Sequence, residues 1–249
     1  MLKDSKIDPV NFERMERKWS FDQKQIDLTR LIIAIYKSPF NFSELYTPRL
    51  VNSLYFDDKN FSSINDNLDG INYKKKIRLR WYGNPNIIET AALEIKEKKG
   101  FICKKTVKKI ILKKKVKFDF DGVFYLKDLV SKITNYKENL IPVLSTHYKR
   151  NYYLSNNKKV RATLDYNIKS SQIIYKNSYI FKKNYRDFVY ELKYDRSDDK
   201  YVRENMFKIT SRYSKNSKYI SSQWKIRWFI YCGINILWVF WIPACNFEH

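Results

Sequence analysis

The chain has 249 residues, of which 49 are Lys or Arg and 26 are Asp or Glu, so its formal net charge is +23. This length favours one domain, or one domain with a small appendage. So large a positive charge predicts an anionic partner, such as nucleic acid, a phospholipid surface or a polyphosphorylated molecule. No glycine-rich phosphate loop is present. Three scattered cysteines and two histidines argue against a disulfide framework and a histidine-based metal site.

Strand segments are recognisable by an alternation of period two, because successive side chains of a strand point to opposite faces. This pattern predicts strands at residues 11–19, 50–57, 143–154, 158–168 and 188–194. Helices are predicted from an N-cap at Asp22 to about Tyr36, at residues 124–136 and, from propensity, at residues 198–222. Residues 60–70 are expected to form a loop or a short helix, and the lysine-rich residues 101–116 an extended segment and a loop.

The most distinctive stretch is residues 74–99, KKKIRLRWYGNPNIIETAALEIKEKK. Its two halves alternate apolar with charged residues, and Gly83-Asn84-Pro85 between them is typical of a turn. We therefore predict a β-hairpin with one apolar face and one densely charged face. The other strands return at hairpin-like intervals with helices as insertions, which predicts an α+β fold on an antiparallel sheet.

Five of the predicted strands keep charged side chains on one face and mostly apolar side chains on the other. The charged sets are Arg14, Glu16 and Lys18; Arg78 and Arg80; Glu94, Lys96 and Lys98; Arg161 and Asp165; and Glu191 and Lys193. For a single strand, a solvated outer face is the usual explanation. Five strands with the same pattern favour an antiparallel β-barrel with a polar, basic interior and helices that cover its apolar exterior.

A barrel interior with this many cations requires counter-charges, because buried unpaired charges are strongly unfavourable. A chain of phosphates suits it best, since Arg offers paired donors and Lys a compact charge to each phosphoryl group. The carboxylates among the cations are suited to Mg²⁺ or Mn²⁺ that bridges phosphate oxygens. These metal-ligand candidates are Glu16, Glu94, Asp165 and Glu191.

Five runs of residues, IRLRWYG, LEIKEK, VRATLD, YELKY and SKNSKY, resemble the VTC domain. This is the catalytic domain of polyphosphate polymerases, in the triphosphate tunnel metalloenzyme superfamily that also contains CYTH domains. The resemblance predicts one tunnel domain over residues 1–222 and leaves residues 223–249 as an apolar tail. It implies an antiparallel β-barrel whose basic tunnel binds nucleoside triphosphate at one end and growing polyphosphate along its length.

The resemblance also implies roles for individual residues. Cations that bind phosphate and support catalysis are implied at Lys18, Arg78, Arg80, Lys96, Arg161, Lys215 and Lys218. On residues alone, Lys215 and Lys218 would instead be interpreted as an exposed helix face. Glu191 is implied as the metal ligand, and Lys98 and Lys193 are further candidates for phosphate binding. One more tunnel lysine is expected from among Lys98, Lys104 and Lys105.

Hydrolytic CYTH members usually begin with Glu-x-Glu-x-Lys, whereas this chain has Arg14-Met15-Glu16-Arg17-Lys18. The replaced carboxylate removes an oxygen ligand for a second metal ion that would activate water. We therefore predict transfer of the γ-phosphate of ATP to polyphosphate, phosphate or pyrophosphate rather than to water. A triphosphatase of the same fold, a polyphosphate sensor without activity and a nucleic-acid-binding module are the alternatives, with nucleic acid the least favoured partner.

The C-terminal tail is not part of this pattern. Residues 224–243, WKIRWFIYCGINILWVFWIP, are apolar and rich in Trp, and residues 228–242 carry no charge. That run is shorter than the roughly 20 residues that span a bilayer, so packing on the domain, contact with a membrane surface and a non-native end are all open. The start of the chain lacks the apolar core of a signal peptide. We expect a cytoplasmic protein, with membrane association through the tail as an option.

Overall fold

The computed structural model describes residues 14–99, 102–134, 140–173, 180–185 and 187–206. In these residues it has nine strands and four α-helices. The strands are β1 (Arg14–Asp22), β2 (Ser43–Asp57), β3 (Tyr73–Tyr82), β4 (Ile87–Lys99), β5 (Ile102–Lys117), β6 (Ile141–Leu154), β7 (Val160–Ile173), β8 (Ile180–Asn184) and β9 (Asp187–Asp195). The helices are α1 (Leu28–Tyr36), α2 (Ser62–Leu68), α3 (Phe120–Thr134) and α4 (Asp199–Asn205).

All the strands belong to one antiparallel sheet. Its hydrogen-bonded order over the described residues is β1-β9-β7-β6-β2-β3-β4-β5, and β8 pairs with β7. Hydrogen bonds do not join the two ends, β1 and β5, in this part of the chain, so the predicted barrel is confirmed only as an antiparallel sheet. The predicted β3–β4 hairpin is confirmed, and Gly83 in its turn has a φ of 86°, a conformation that favours glycine.

One apolar core lies against β1, β9 and β7. Trp19 of β1 and Tyr190 of β9 pack there with Leu31 and Ile35 of α1 and Val202 of α4. These helical residues come from the apolar stripe of α1 and from the buried face of α4. Each fully buried aliphatic side chain stabilises the fold by about 1.5–3 kcal/mol, so the core fixes α1 and α4 to one side of the sheet.

A second apolar core lies against the other half of the sheet, under β3, β4 and β5. Leu79 and Trp81 of β3 and Leu93 of β4 pack there against Leu126 and Val130 of α3. The predicted amphipathic helix over residues 124–136 is therefore confirmed in type, although it begins earlier, at Phe120. Both cores lie on the same side of the sheet. In each strand the buried apolar residues of these cores alternate mostly with charged or polar ones, and the pairing of neighbouring strands places these buried residues on one common face.

The first helix begins later than its predicted N-cap. Asp22 is the last residue of β1, where it pairs with Asp187 of β9. The helix cap is Asp27, whose side chain accepts a hydrogen bond of 2.8 Å from the backbone N–H of Arg30. The prediction was wrong because both aspartates are good caps, and the choice between them depends on strand pairing with a distant segment.

Several other elements differ from the prediction. Residues 102–117 form one long strand rather than an extended segment and a loop, because they pair with β4 along almost their whole length. Strand β2 begins at Ser43, before the predicted residue 50, and β8 was not predicted. Residues 60–70 contain a short helix, α2, as one of the two predicted forms.

The apolar tail, residues 223–249, lies outside the described residues, as do residues 207–222 at the end of the last predicted helix. Among the helices that the structure describes, none combines the length and the apolar character needed to cross a bilayer.

Candidate phosphate-binding site

The face of the sheet opposite the two cores is charged. In β3, Lys76, Arg78 and Arg80 alternate with the buried Ile77 and Leu79, as the pleat of a strand requires. Cross-strand pairs extend this face over seven further strands. We call it the basic face: its cations include Lys18, Arg49, Lys74, Lys76, Arg78, Arg80, Lys96, Lys98, Lys105, Lys109, Arg150, Arg161 and Lys193, and its carboxylates are Glu16, Glu94, Asp165 and Glu191.

The basic face is strongly curved. β1 and β4 are six positions apart in the sheet order, which in a flat sheet is about 29 Å at roughly 4.8 Å per strand. Nevertheless Lys96 of β4 contributes to lowering the pKa of Glu16 on β1, and Lys18 of β1 contributes to lowering the pKa of Lys76 on β3. Charges so far apart would be screened from each other. The sheet therefore curls, and the two ends of the basic face approach each other.

Glu94 of β4 is the centre of one cluster on this face. Arg78 donates to Glu94 Oε2 from Nε at 3.0 Å and from Nη2 at 2.6 Å, and its Nη1 donates to the hydroxyl of Tyr55 at 3.2 Å. Arg80 and Lys105 approach the same carboxylate at 3.4 Å. Burial raises the pKa of Glu94, but these three cations outweigh it and hold the pKa at about 2. The cluster keeps a net positive charge.

A second cluster lies on β1 and β9, around the buried Glu191. Lys18 contacts both Glu16 and Glu191, the latter at 3.5 Å, and Lys193 approaches Glu191 at 2.7 Å. Burial raises the pKa of Glu16, but Lys18 and Lys193 bring it to about 2. Glu191 also has a lowered pKa, although burial and the neighbouring Glu16 oppose this. Two ionised carboxylates are therefore held beside each other by lysines.

The third cluster is a buried ion pair between Arg150 of β6 and Asp165 of β7. Arg150 donates from Nε and Nη2 to the two oxygens of Asp165, at 2.5 and 2.8 Å. Burial lowers the pKa of Arg150, but the charge of Asp165 outweighs it and raises that pKa well above its ordinary value. Arg150 was missed in the sequence. The alternation of Tyr148, Arg150 and Tyr152 in a predicted strand was the signal that would have found it.

Lys76 was also missed. It lies between Arg78 and Lys74 on β3 and opposite Lys96 of β4. Burial lowers its pKa, and the charges of Lys96, Lys18, Lys74 and Arg78 lower it further, to about 8. At this end of the basic face, lysines therefore crowd together. The sequence KKKIRLR, residues 74–80, indicates its position. Every second residue of a strand points to the same face, so Lys76 shares the face of Arg78 and Arg80.

The structure brings most of the predicted site residues together on the basic face. Lys18, Arg78, Arg80, Lys96, Lys98, Arg161, Lys193 and the four predicted carboxylates all lie on it. Lys96, Lys98, Arg161 and Lys193 are exposed, whereas Arg80 is only 13% exposed. Lys105 also lies on the basic face, while Lys104 pairs with Glu97 on the opposite face. Lys215 and Lys218 lie outside the described residues.

The basic face is not charged throughout. Val51, Tyr148 and Val189 lie on it and form a small apolar cluster with Ile168. The buried polar atoms on the face that make no hydrogen bond with the described residues include Ser53 Oγ, Arg80 Nε and Thr163 Oγ1. Buried polar groups normally have partners, and Arg80 Nε is a charged donor. An anion that approached Arg80 could accept a hydrogen bond from this Nε–H group.

The carboxylates differ in how well they suit a metal ion. Glu94 is engaged by three cations and Asp165 by a two-point ion pair, so their oxygens are already bound. Glu16 and Glu191 lie beside each other, and their cation partners are the lysines Lys18 and Lys193. Phosphate oxygens could bind these lysines instead and so free the two carboxylates for a metal ion. Two carboxylates plus phosphate oxygens and water suit Mg²⁺ or Mn²⁺. In the described residues, no group of three or more His, Cys, Asp or Glu forms a complete protein cage for a metal.

The fold and the site together define an antiparallel-sheet protein with one curved face suited to a polyanion. The sequence matches the model of the VTC domain family over residues 13–225. The chain therefore belongs to the VTC domain family, as the resemblance of its motifs predicted.

One curated relative is subunit 2 of the vacuolar transporter chaperone complex of Saccharomyces cerevisiae. It is 34% identical over 149 residues, which cover 48% of this chain. The match covers 18% of that relative, so the chain corresponds to a small part of its length.

Two solved structures are similar to this chain at a low level. The PH1819 protein of Pyrococcus horikoshii OT3 has a TM-score of 0.44 and 13% identity, over 85% of this chain and 99% of that one. A candidate adenylyl cyclase of Hippeastrum, HpAC1, described with a dominant triphosphatase activity, has a TM-score of 0.39 and 12% identity, over 84% and 96%. At this level the likenesses carry no argument about activity.

Proposed function

We propose that this VTC domain is a polyphosphate polymerase that transfers the γ-phosphate of ATP to a growing chain of inorganic phosphate. The observation that carries the proposal is the basic face, where arginines and lysines from eight strands converge on one curved surface with a few paired carboxylates. Arginine forks and lysine charges match successive phosphoryl groups.

We further propose that the curl of the sheet encloses the polyanion path as a tunnel between its two end strands, β1 and β5. Both of these strands are edges over the described residues. The matched family region continues to residue 225 and includes the predicted phosphate-binding residues Lys215 and Lys218. An enclosed path would exclude water, which strengthens each contact between a cation and a phosphate.

The metal proposed for this site is Mn²⁺ or Mg²⁺, held by Glu191 and Glu16. When bound, it would neutralise phosphate charge and act as a Lewis acid on phosphate oxygens. Lys18 and Lys193 would then release the two carboxylates and contact phosphate instead. Glu94 and Asp165 keep a different role in this proposal, because they orient Arg78, Arg80 and Arg150.

The transfer step needs no covalent intermediate on the protein. A terminal phosphate oxygen of polyphosphate, phosphate or pyrophosphate forms a bond to the γ-phosphorus of ATP, the bond from that phosphorus to the β–γ bridging oxygen breaks, and ADP leaves. Arg78, Arg80 and Lys96 would hold the two reacting groups in line and stabilise the charge on the transferred phosphoryl group. Catalysis would consist of positioning and charge stabilisation.

The test is incubation of the purified protein with ATP and Mn²⁺, followed by gel analysis for acid-labile polymer and by a phosphate assay. Long polymer from the wild type, little from Glu191→Gln and a normal amount from Glu89→Gln is the expected result. Glu89 is an exposed residue of a surface ion pair with Lys115, and circular dichroism would verify the fold of both variants. If the protein released free orthophosphate without polymer, it would instead be a triphosphatase. If it formed neither product, the remaining interpretation would be a polyphosphate sensor without activity.

The partners and location follow from the same proposal. ATP and polyphosphate or pyrophosphate would be the ligands, in the cytoplasm. Because the relative in yeast is named as a subunit of a vacuolar transporter chaperone complex, we also propose that this domain works beside a membrane partner. The apolar tail of residues 223–249 is the candidate contact with that membrane.

A further inference from the structure

An exposed group of aromatic rings lies at one end of the basic face. It consists of Tyr46, Arg49, Tyr82 and Tyr152, which we call the aromatic patch. The Arg49 guanidinium lies 4.4 Å from the centre of the Tyr46 ring, and Tyr46 and Tyr152 meet edge to face at 5.6 Å. Tyr46 is 47% exposed and Tyr82 is 51% exposed. Large aromatic surfaces left in solvent on a functional face indicate a binding surface.

The patch depends on an irregularity of β2. The pairing of β2 with β6 shifts register between Glu44 and Tyr46 and again between Tyr46 and Arg49. These shifts place Tyr46 opposite Tyr152 and Arg49 opposite Arg150. Bulges of this kind redirect side chains and are frequent beside active sites. Without the shifts, regular alternation would not put both Tyr46 and Arg49 on the basic face.

The patch is continuous with the arginines proposed to bind phosphate. The Arg150 guanidinium lies 6.0 Å from the ring centre of Tyr152 and 5.2 Å from that of Tyr148. Tyr82 ends β3, two residues after Arg80, and its hydroxyl lies near that of Tyr152. A ligand with a flat ring at one end and phosphates at the other therefore fits across the patch and onto the basic face.

We propose that the aromatic patch binds the base of the nucleoside triphosphate by stacking. This inference rests on the proposed function and deepens it, because it assigns the nucleotide end of the polyanion path. A base stacks on tyrosine rings and on the Arg49 guanidinium plane, and each base has a π-face to offer. The triphosphate then extends from the patch toward Arg150, Arg80 and Arg78. The opposite end, with Lys74 and Lys98, would receive the inorganic chain.

Recognition by stacking predicts a particular specificity. The patch presents ring faces and one guanidinium rather than an ordered set of donors and acceptors for the edge of a base. The site therefore discriminates a nucleotide from inorganic tripolyphosphate, but it discriminates weakly between ATP and GTP. This separates a base-binding role from a simple extension of the basic face, which would prefer the ligand with the higher phosphate charge.

The experiment measures the affinity of ATP, GTP and inorganic tripolyphosphate by calorimetry, without divalent metal so that turnover does not occur. The variants are Tyr46→Leu and, as a matched control on α3, Tyr125→Leu, which is also an exposed tyrosine at 40%. Loss of one stacking partner is expected to lower the affinity for ATP and GTP about five- to tenfold. The affinity for tripolyphosphate should stay within about twofold, and Tyr125→Leu should change neither.

An equal loss for ATP and tripolyphosphate, or no loss for either, would overturn the base-binding proposal. An Arg80→Met variant reports on the proposed function separately, because it removes a phosphate contact and leaves the patch in place. If tripolyphosphate bound as tightly to Arg80→Met as to the wild type, the phosphate path itself would be wrong. If neither ATP nor tripolyphosphate bound to the wild type, both proposals would fall together.

Discussion

Each carboxylate of the basic face is held by cations, so the loss of a single acid leaves buried positive charge. Asp165 shows this most clearly, because its side chain is fully buried and makes a two-point ion pair with Arg150. Such a pair contributes little compared with well-packed apolar residues, but removing one member is strongly destabilising. A substitution that removes one of these carboxylates therefore changes the charge of the site and also lowers the stability of the fold.

We expect Asp165→Asn to lower the free energy of unfolding by about 3–5 kcal/mol, because Arg150 would stay buried without its counter-charge. Urea denaturation at neutral pH measures this loss. The matched control is Glu89→Gln, which removes an exposed ion pair with Lys115 and should cost less than about 1 kcal/mol. If the two variants lost the same amount of unfolding free energy, the buried Arg150–Asp165 pair would not have the importance for stability that we assign to it.

At the residue scale, motif resemblance identified the charged residues that follow a strand pattern, such as Arg78, Arg80 and Glu191. It did not identify Arg150, since the sequence alone does not reveal that Asp165 needs a partner from the neighbouring strand. The chemistry of carboxylates among cations also suggested Glu94 and Asp165 as metal ligands, a prediction that the structure does not test. Their contacts with arginines depend on sheet register, which a single sequence does not determine.

At the scale of elements, β3 carries the densest row of cations, with Lys74, Lys76, Arg78 and Arg80 on one face. Burial and the nearby lysines lower the pKa of Lys76 to about 8. The folded protein therefore releases this proton at lower pH than the unfolded chain. Because the unfolded state binds more protons between about pH 8 and the ordinary lysine pKa, Lys76 makes stability rise with pH across that window.

A bound polyanion should reverse this shift, since negative charge favours the protonated form of Lys76. We expect polyphosphate binding at pH 8.5 to take up a fraction of a proton, and affinity to fall as pH rises above about 8. Calorimetry in two buffers of different ionisation enthalpy measures the uptake. Lys76→Met should lose it, whereas Lys75→Met, on the opposite face and paired with Glu97, should keep it. Unchanged uptake in Lys76→Met would assign the proton to another group.

Elements with strict alternation were predicted well, because period two directly reports which side chains share a face. The β3–β4 hairpin, β6 and β9 were found in this way. The start of α1, the first part of β2 and the full length of β5 were not, since their limits are set by pairing with segments far away in sequence. The bulges of β2, which create the aromatic patch, have no signature that alternation can detect.

At the scale of the whole molecule, a chain with a formal charge of +23 folds into a sheet with two different faces. The two apolar cores share one side of the sheet, and the clustered cations of the basic face lie on the other. The composition predicted an anionic partner. The alternation of charged and apolar residues along the strands predicted that this partner would bind to the charged face of the sheet. The sequence predicted a curled sheet but not how far the curl goes, because the curl results from the summed twist of many paired strands.

The central claim is that the polyanion binds to one face of the sheet rather than to positive charge in general. Lys96 and Lys99 test it most directly, because both are exposed lysines of β4 that lie on opposite faces. We predict that Lys96→Met weakens polyphosphate binding about tenfold, or ~1.4 kcal/mol, while Lys99→Met leaves the affinity within about twofold. Equal weakening by the two substitutions would contradict the account.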